Sequence, residues 1–183
     1  AHRVMTTAPT PVARIETDIN LLLLPPFSLR HIKRLTDDTG IIQHAKFGIP
    51  SLKDGYCLDD NARALLMVCM TYKQKKKQLA LDLMPVYLSY ILYMQNKDGM
   101  FRNFLSFSRQ FLDEVGSEDS FGRTIWVLGY LMGNAPNDAY YQTAKMIFFN
   151  AVPNFEKIQS IRGIANTIIG LSYYLKTAPT DID

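Results

Sequence analysis

Two cysteines, one tryptophan and three histidines are all that 183 residues provide, and each scarcity removes a class of chemistry. Cys57 and Cys69 stand twelve positions apart, a spacing that suits neither a zinc site nor a disulfide framework, so the chain reads as reduced and its expected location is the cytoplasm. His2, His31 and His44 are scattered, with no cluster at metal-ligand spacing, and no metal is expected. A strand–glycine–helix phosphate motif is missing too, so no nucleotide cofactor is expected. Long apolar runs are equally rare. The leucine run 21–24 ends after four residues at Pro25-Pro26, far short of the roughly 20 that span a bilayer.

Charge of one sign is also sparse. The formal net charge is +3, and the one dense basic run, at 73–77, lies between two helical patterns and reads as a solvated turn rather than a nucleic-acid patch. Neither nucleic acid nor membrane is an expected partner. What remains is ordinary globular composition, 48% hydrophobic with 20% charged, enough to build one domain with a core. The expected layout is a polar, proline-containing linker or disordered segment over 1–26, a folded domain over 27–176 and a polar tail over 177–183.

Apolar periodicity predicts helices over 27–35, 58–72, 79–93, 119–131, 139–149 and 161–175. Those beginning near residues 58, 119 and 161 are apolar on almost every face, so each is expected to be surrounded by protein, and Trp126 to be core. Pro85 predicts a late start or a kink in the helix over 79–93. The residues 41–54 read as a long ordered loop. Asn96-Lys97-Asp98-Gly99 predicts a tight turn with a short β-hairpin near 96–104. Buried helices thus alternate with amphipathic ones at a repeat of roughly 40 to 60 residues, which predicts an all-α array of helical hairpins packed side by side.

Two acidic turns open the first two buried helices. Gly55-Tyr56-Cys57-Leu58-Asp59-Asp60-Asn61-Ala62-Arg63 and Gly116-Ser117-Glu118-Asp119-Ser120-Phe121-Gly122-Arg123 repeat one spacing, Asp59 to Arg63 and Asp119 to Arg123. At a helix start a carboxylate accepts orphan N–H groups and is favoured by the dipole, each effect worth about 0.5 to 2 kcal/mol. Capping and intrahelical Asp–Arg pairs are therefore the bland account of these residues. The sharper one places them around a cleft. The dipole also lowers a carboxyl pKa, which argues against a proton donor here; Glu118 is the best candidate acid, though it too lies beside a helix start.

The run Leu35-Thr36-Asp37-Asp38-Thr39-Gly40-Ile41-Ile42-Gln43-His44-Ala45, the Asp59-Asp60-Asn61-Ala62-Arg63 turn, Asp98-Gly99-Met100-Phe101-Arg102-Asn103-Phe104, Ser117-Glu118-Asp119-Ser120-Phe121-Gly122-Arg123-Thr124 and Ile161-Arg162-Gly163 resemble the α/α-toroid domain of bacterial proteins related to glycosyltransferases, a six-hairpin glycosidase-like architecture. The likeness covers 35–175, and the Asp-Asp-Asn-Ala-Arg run is its most specific part. It implies a ring of hairpins with a sugar cleft at the N-terminal ends of the inner helices. About three inner helices are present, so the resemblance implies roughly half a ring, completed by a second copy or another chain, with a nucleotide-sugar glycosyltransferase domain as a further partner. The implied catalytic residues are Asp59, Asp60, Glu118 and Asp119. A glycan would be bound by Tyr56, Arg63, Phe101, Arg102, Asn103, Arg123, Arg162 and His44. The expected function is glycan binding, with glycosyl transfer or glycoside hydrolysis in the complete protein. A non-catalytic helical-repeat interaction module is the alternative from another class. A helical sugar isomerase would want histidine bases inside the ring, and three scattered histidines give it little support.

Overall fold

A computed structural model describes residues 25–178; the linker expected over 1–26 and the tail over 177–183 lie mostly outside the described residues. The chain is mainly helical, in the order α1 (Arg30–Leu35), β1 (Ala45–Lys46), β2 (Ile49–Pro50), β3 (Tyr56–Cys57), α2 (Leu58–Lys75), α3 (Gln78–Met94), β4 (Phe104–Leu105), α4 (Glu118–Met132), α5 (Asp138–Ala151) and α6 (Ile161–Thr177).

Each long helix starts and stops for a local reason. Ser117, Asn137 and Ser160 cap α4, α5 and α6, each side chain accepting the N–H of the residue three ahead. The start of α2 differs: Cys57 is its N-cap and makes no side-chain capping hydrogen bond, while Lys76 closes the helix in the left-handed conformation, its N–H on the Tyr72 carbonyl. The helix α3 runs unbroken through Pro85, which lies on its exposed side.

The rows are set by packing. α2 lies beside α4 and α4 beside α6, while α3 covers α2 and α5 covers α4. Glycine makes the closest of these contacts. A Cβ on Gly122 would sit 2.3 Å from the Gly163 carbonyl oxygen, and one on Gly129 would sit 2.1 Å from that of Gly170. Main chain therefore meets main chain along α4 and α6, and the matching order of the two contacts makes the helices parallel. The core fills the space between the rows with Leu58, Leu65, Ile91, Phe121, Ile125, Leu128, Ile147 and Phe148, all at most 1% exposed.

Among the described residues, no helix covers the far side of α6. Aligned from their serine caps, Glu118, Gly122, Ile125 and Gly129 of α4, which face α6, correspond to Ile161, Ala165, Ile168 and Ser172 of α6, all exposed. The opposite edge is covered: α1 and Ile41-Ile42 close over Asp60, Ala64 and Met67 of α2.

Two strand features differ from expectation. The tight turn at 96–99 is present, Gly99 N–H meeting the Asn96 carbonyl, yet only a single bridge, Gln95 to Phe101, joins its arms. Phe104 and Leu105 pair instead with Cys57 and Tyr56, far away in sequence. The Asp113 carboxylate takes the N–H groups of Asn103 and Phe104, at 2.8 and 3.0 Å, and draws that segment away from a local hairpin. The loop 41–54 contains a real hairpin, β1 with β2.

Candidate functional site

The N-terminal ends of α2, α4 and α6 come together because the helices are parallel and in register, and a polar cleft of about 430 Å³ opens between them. Asp59, Asp60, Asp119, Arg63, Arg123, Arg162, Asn103 and His44 line it, with Gln43, Cys57, Phe104 and Ser117. The two acidic turns thus meet at one opening.

One ion pair runs along a helix and two run across helices. Asp59 bonds Arg63 of its own helix at 2.8 Å and also engages the guanidinium of Arg123 from α4. Asp119 does not turn to Arg123; it accepts the Ser160 hydroxyl and bonds Arg162 at 2.7 Å, both on the α6 side. The Asp119–Arg123 pair expected from the spacing is therefore replaced by two inter-helix pairs. The close α4–α6 approach brings Ser160 and Arg162 into direct contact with Asp119. Burial, with Arg162 close by, also weakens the hold of Arg123 on its proton.

Asp60 is the carboxylate left over. Among the described residues its side chain has no hydrogen bond or ion pair in contact, and burial pushes its carboxyl above the ordinary range while Arg63 and His44 pull it back. The sequence argument expects a helix start to hold such a carboxyl down; burial pushes it up instead. Capping does not account for either aspartate, since Cys57 is the cap residue. Burial also pushes the Cys57 thiol up to about 11, so it stays protonated at neutral pH and is not a nucleophile.

Four of the expected site residues stand elsewhere. Glu118 is committed to the α6 cap: its Oε2 accepts the N–H groups of Gln159 and Ser160, at 2.7 and 2.5 Å. Tyr56 is 1% exposed, and its hydroxyl donates to Asp37 at 2.5 Å. Phe101 is core, edge-on to Phe121 at 5.7 Å. Arg102 stacks on Phe111 at 4.2 Å and reaches Glu114. The strand pleat explains part of this. In β3 neighbouring residues point to opposite faces, so Cys57 reaches the cleft while Tyr56 turns away.

Ser117 and Gln43 were not among the expected site residues. Ser117 was hidden behind its ordinary role as a helix cap. Beyond Arg63 and Arg123 the cleft wall runs into an apolar groove of about 480 Å³ between α2 and α4, lined by Leu66, Met67, Met70 and Trp126. Trp126 is thus only partly buried, and its indole N–H has no partner among the described residues. No group of histidine, cysteine and carboxylate side chains among the described residues could hold a metal ion. No protein-family model matches the chain, and no curated protein matches it.

Proposed function

We propose that this chain is a sugar-binding helical domain, part of an α/α toroid-like array, with the cleft at the starts of α2, α4 and α6 as its site. One observation carries the reading: three aspartates and three arginines share a single cavity, with Asn103, Ser117 and His44 among them. A neutral polyhydroxylated ligand fits such a wall, because each hydroxyl can donate to a carboxylate and accept from a guanidinium. A wall of one sign would instead select a charged ligand. The volume lies within the ordinary range for small-ligand sites.

The toroid-like arrangement is supported by the parallel row α2, α4, α6, by the outer helices α3 and α5, and by the exposed ridge of α6, which repeats the surface by which α4 receives α6. In a complete ring the cleft would assist glycosyl transfer or hydrolysis. Hydrolysis needs one carboxyl that keeps its proton and a second that does not. Asp60, raised by burial, is the donor in this reading, and Asp119, engaged by Ser160 and Arg162, is its counterpart.

The test is a glycan-array screen followed by calorimetric titration of any sugar that binds. Asp60→Asn is expected to weaken binding about tenfold, the loss of one hydrogen bond to a sugar hydroxyl, with no loss of thermal stability. A chain that binds no sugar, or an Asp60→Asn variant with unchanged affinity, counts against the site. The rival reading, a non-catalytic interaction module, draws on the exposed Ile161, Ile164 and Ile168 of α6. Under it Ile168→Asp abolishes partner binding while sugar titrations stay flat for every variant.

A further inference from the structure

The β1–β2 hairpin turns through Phe47 and Gly48, with φ of 53° and 78°. Glycine accepts that backbone readily. For phenylalanine it is costly, and two-residue turns of this kind ordinarily take asparagine, aspartate or glycine. The Phe47 side chain nevertheless stands 93% exposed, beside Ile49 at 70% and near Leu52 at 47%. Neither turn propensity nor core packing calls for a large apolar side chain there.

The charge around this tip is mainly positive. The Lys46 ammonium lies 5.9 Å from the Phe47 ring centre. The guanidinium of Arg34 reaches Gly48, 3.2 Å from where a Cβ would be, and Lys53 follows Leu52. Asp54 is the one carboxylate in 41–54. The preceding acids are engaged elsewhere: Asp37 accepts the Tyr56 hydroxyl, and Asp38 pairs with Arg109 at 3.0 Å.

We propose that the hairpin tip docks on a bilayer surface containing anionic lipid, inserting Phe47 and Ile49 at the headgroup–acyl boundary while Lys46, Arg34 and Lys53 meet the lipid phosphates. An apolar tip flanked by cations gains from both layers of such a surface, the apolar side chains from the acyl boundary and the cations from the phosphates. The contact is peripheral, and among the described residues no helix is long and apolar enough to cross a membrane. It is independent of what the cleft holds.

The experiment is co-sedimentation of the chain with phosphatidylcholine vesicles, with and without phosphatidylserine, at low and high salt. The wild type is expected to pellet with the anionic vesicles alone and to be released by salt. The double variant Phe47→Asn with Ile49→Ser is expected to lower partitioning by about tenfold; asparagine suits the left-handed turn, so its thermal melt should match or exceed that of the wild type. Lys46→Gln with Lys53→Gln should weaken binding as well. No pelleting with anionic vesicles, equal pelleting with neutral ones, or full pelleting of the Phe47/Ile49 variant would each overturn the proposal.

Discussion

Arg123 reaches across from α4 to Asp59 on α2, although Asp119 stands one turn earlier on its own helix. Its side chain is mostly buried, 16% exposed, whereas that of Arg63, the other partner of Asp59, is 57% exposed. One carboxylate thus holds two arginines in very different surroundings, and the two should not be worth the same.

Arg123→Gln is expected to lower stability by about 2 kcal/mol, because it leaves a partly buried carboxylate facing only a solvent-screened partner. Arg63→Gln should cost less than about 0.5 kcal/mol. Urea unfolding of the two variants, closed as a cycle with Asp59→Asn, measures both. Equal losses would mean that the inter-helix pair carries no special weight.

Asp60 gives the fold a pH dependence with a defined sign. Its folded pKa is raised, so the folded state binds the proton more tightly than the unfolded one. The stabilisation from that proton is complete below the unfolded value of about 3.9 and is lost as pH rises through the folded value. Asp60→Asn, which cannot ionise, should therefore melt above the wild type at neutral pH, with the difference shrinking as pH falls toward about 4. A gap that widens in acid would reverse the assignment.

The glycine contacts make a third expectation. Gly129→Ala would put a methyl 2.1 Å from the Gly170 carbonyl oxygen, forcing α4 and α6 apart at a cost of about 2 to 3 kcal/mol or more. Gly133 has φ −73°, and a Cβ there would meet the Thr177 methyl at 3.3 Å and the Tyr130 and Gly129 carbonyl oxygens at the ordinary contact distances of 3.6 and 3.8 Å. Gly133→Ala should be close to neutral, within about 0.5 kcal/mol. Thermal melts of the pair provide the comparison.

The helices were legible because α2, α4 and α6 carry apolar residues around most of their circumference, a signal that survives any uncertainty at their ends. The acidic turns were legible for the same reason, since a helix start is a local event. What the sequence hid was partnership at a distance. Nothing near Phe104 announces that its strand lies against Cys57, and nothing near Asp119 announces Ser160 and Arg162. Glu118 looked available as an acid because the donors it accepts from, the N–H groups of Gln159 and Ser160, arrive from another helix. Asp60 looked like a stabilised anion because dipoles can be read from a helix start, whereas burial cannot.

Where Gly122 faces Gly163 and Gly129 faces Gly170, the gap between two helices is gauged by the backbone itself. Asp119 and Arg162, carried at the tips of those helices, inherit that gauge. The side chains around the opening can then be exchanged without altering its width, so one rigid frame could be refitted for different ligands while its span stays constant.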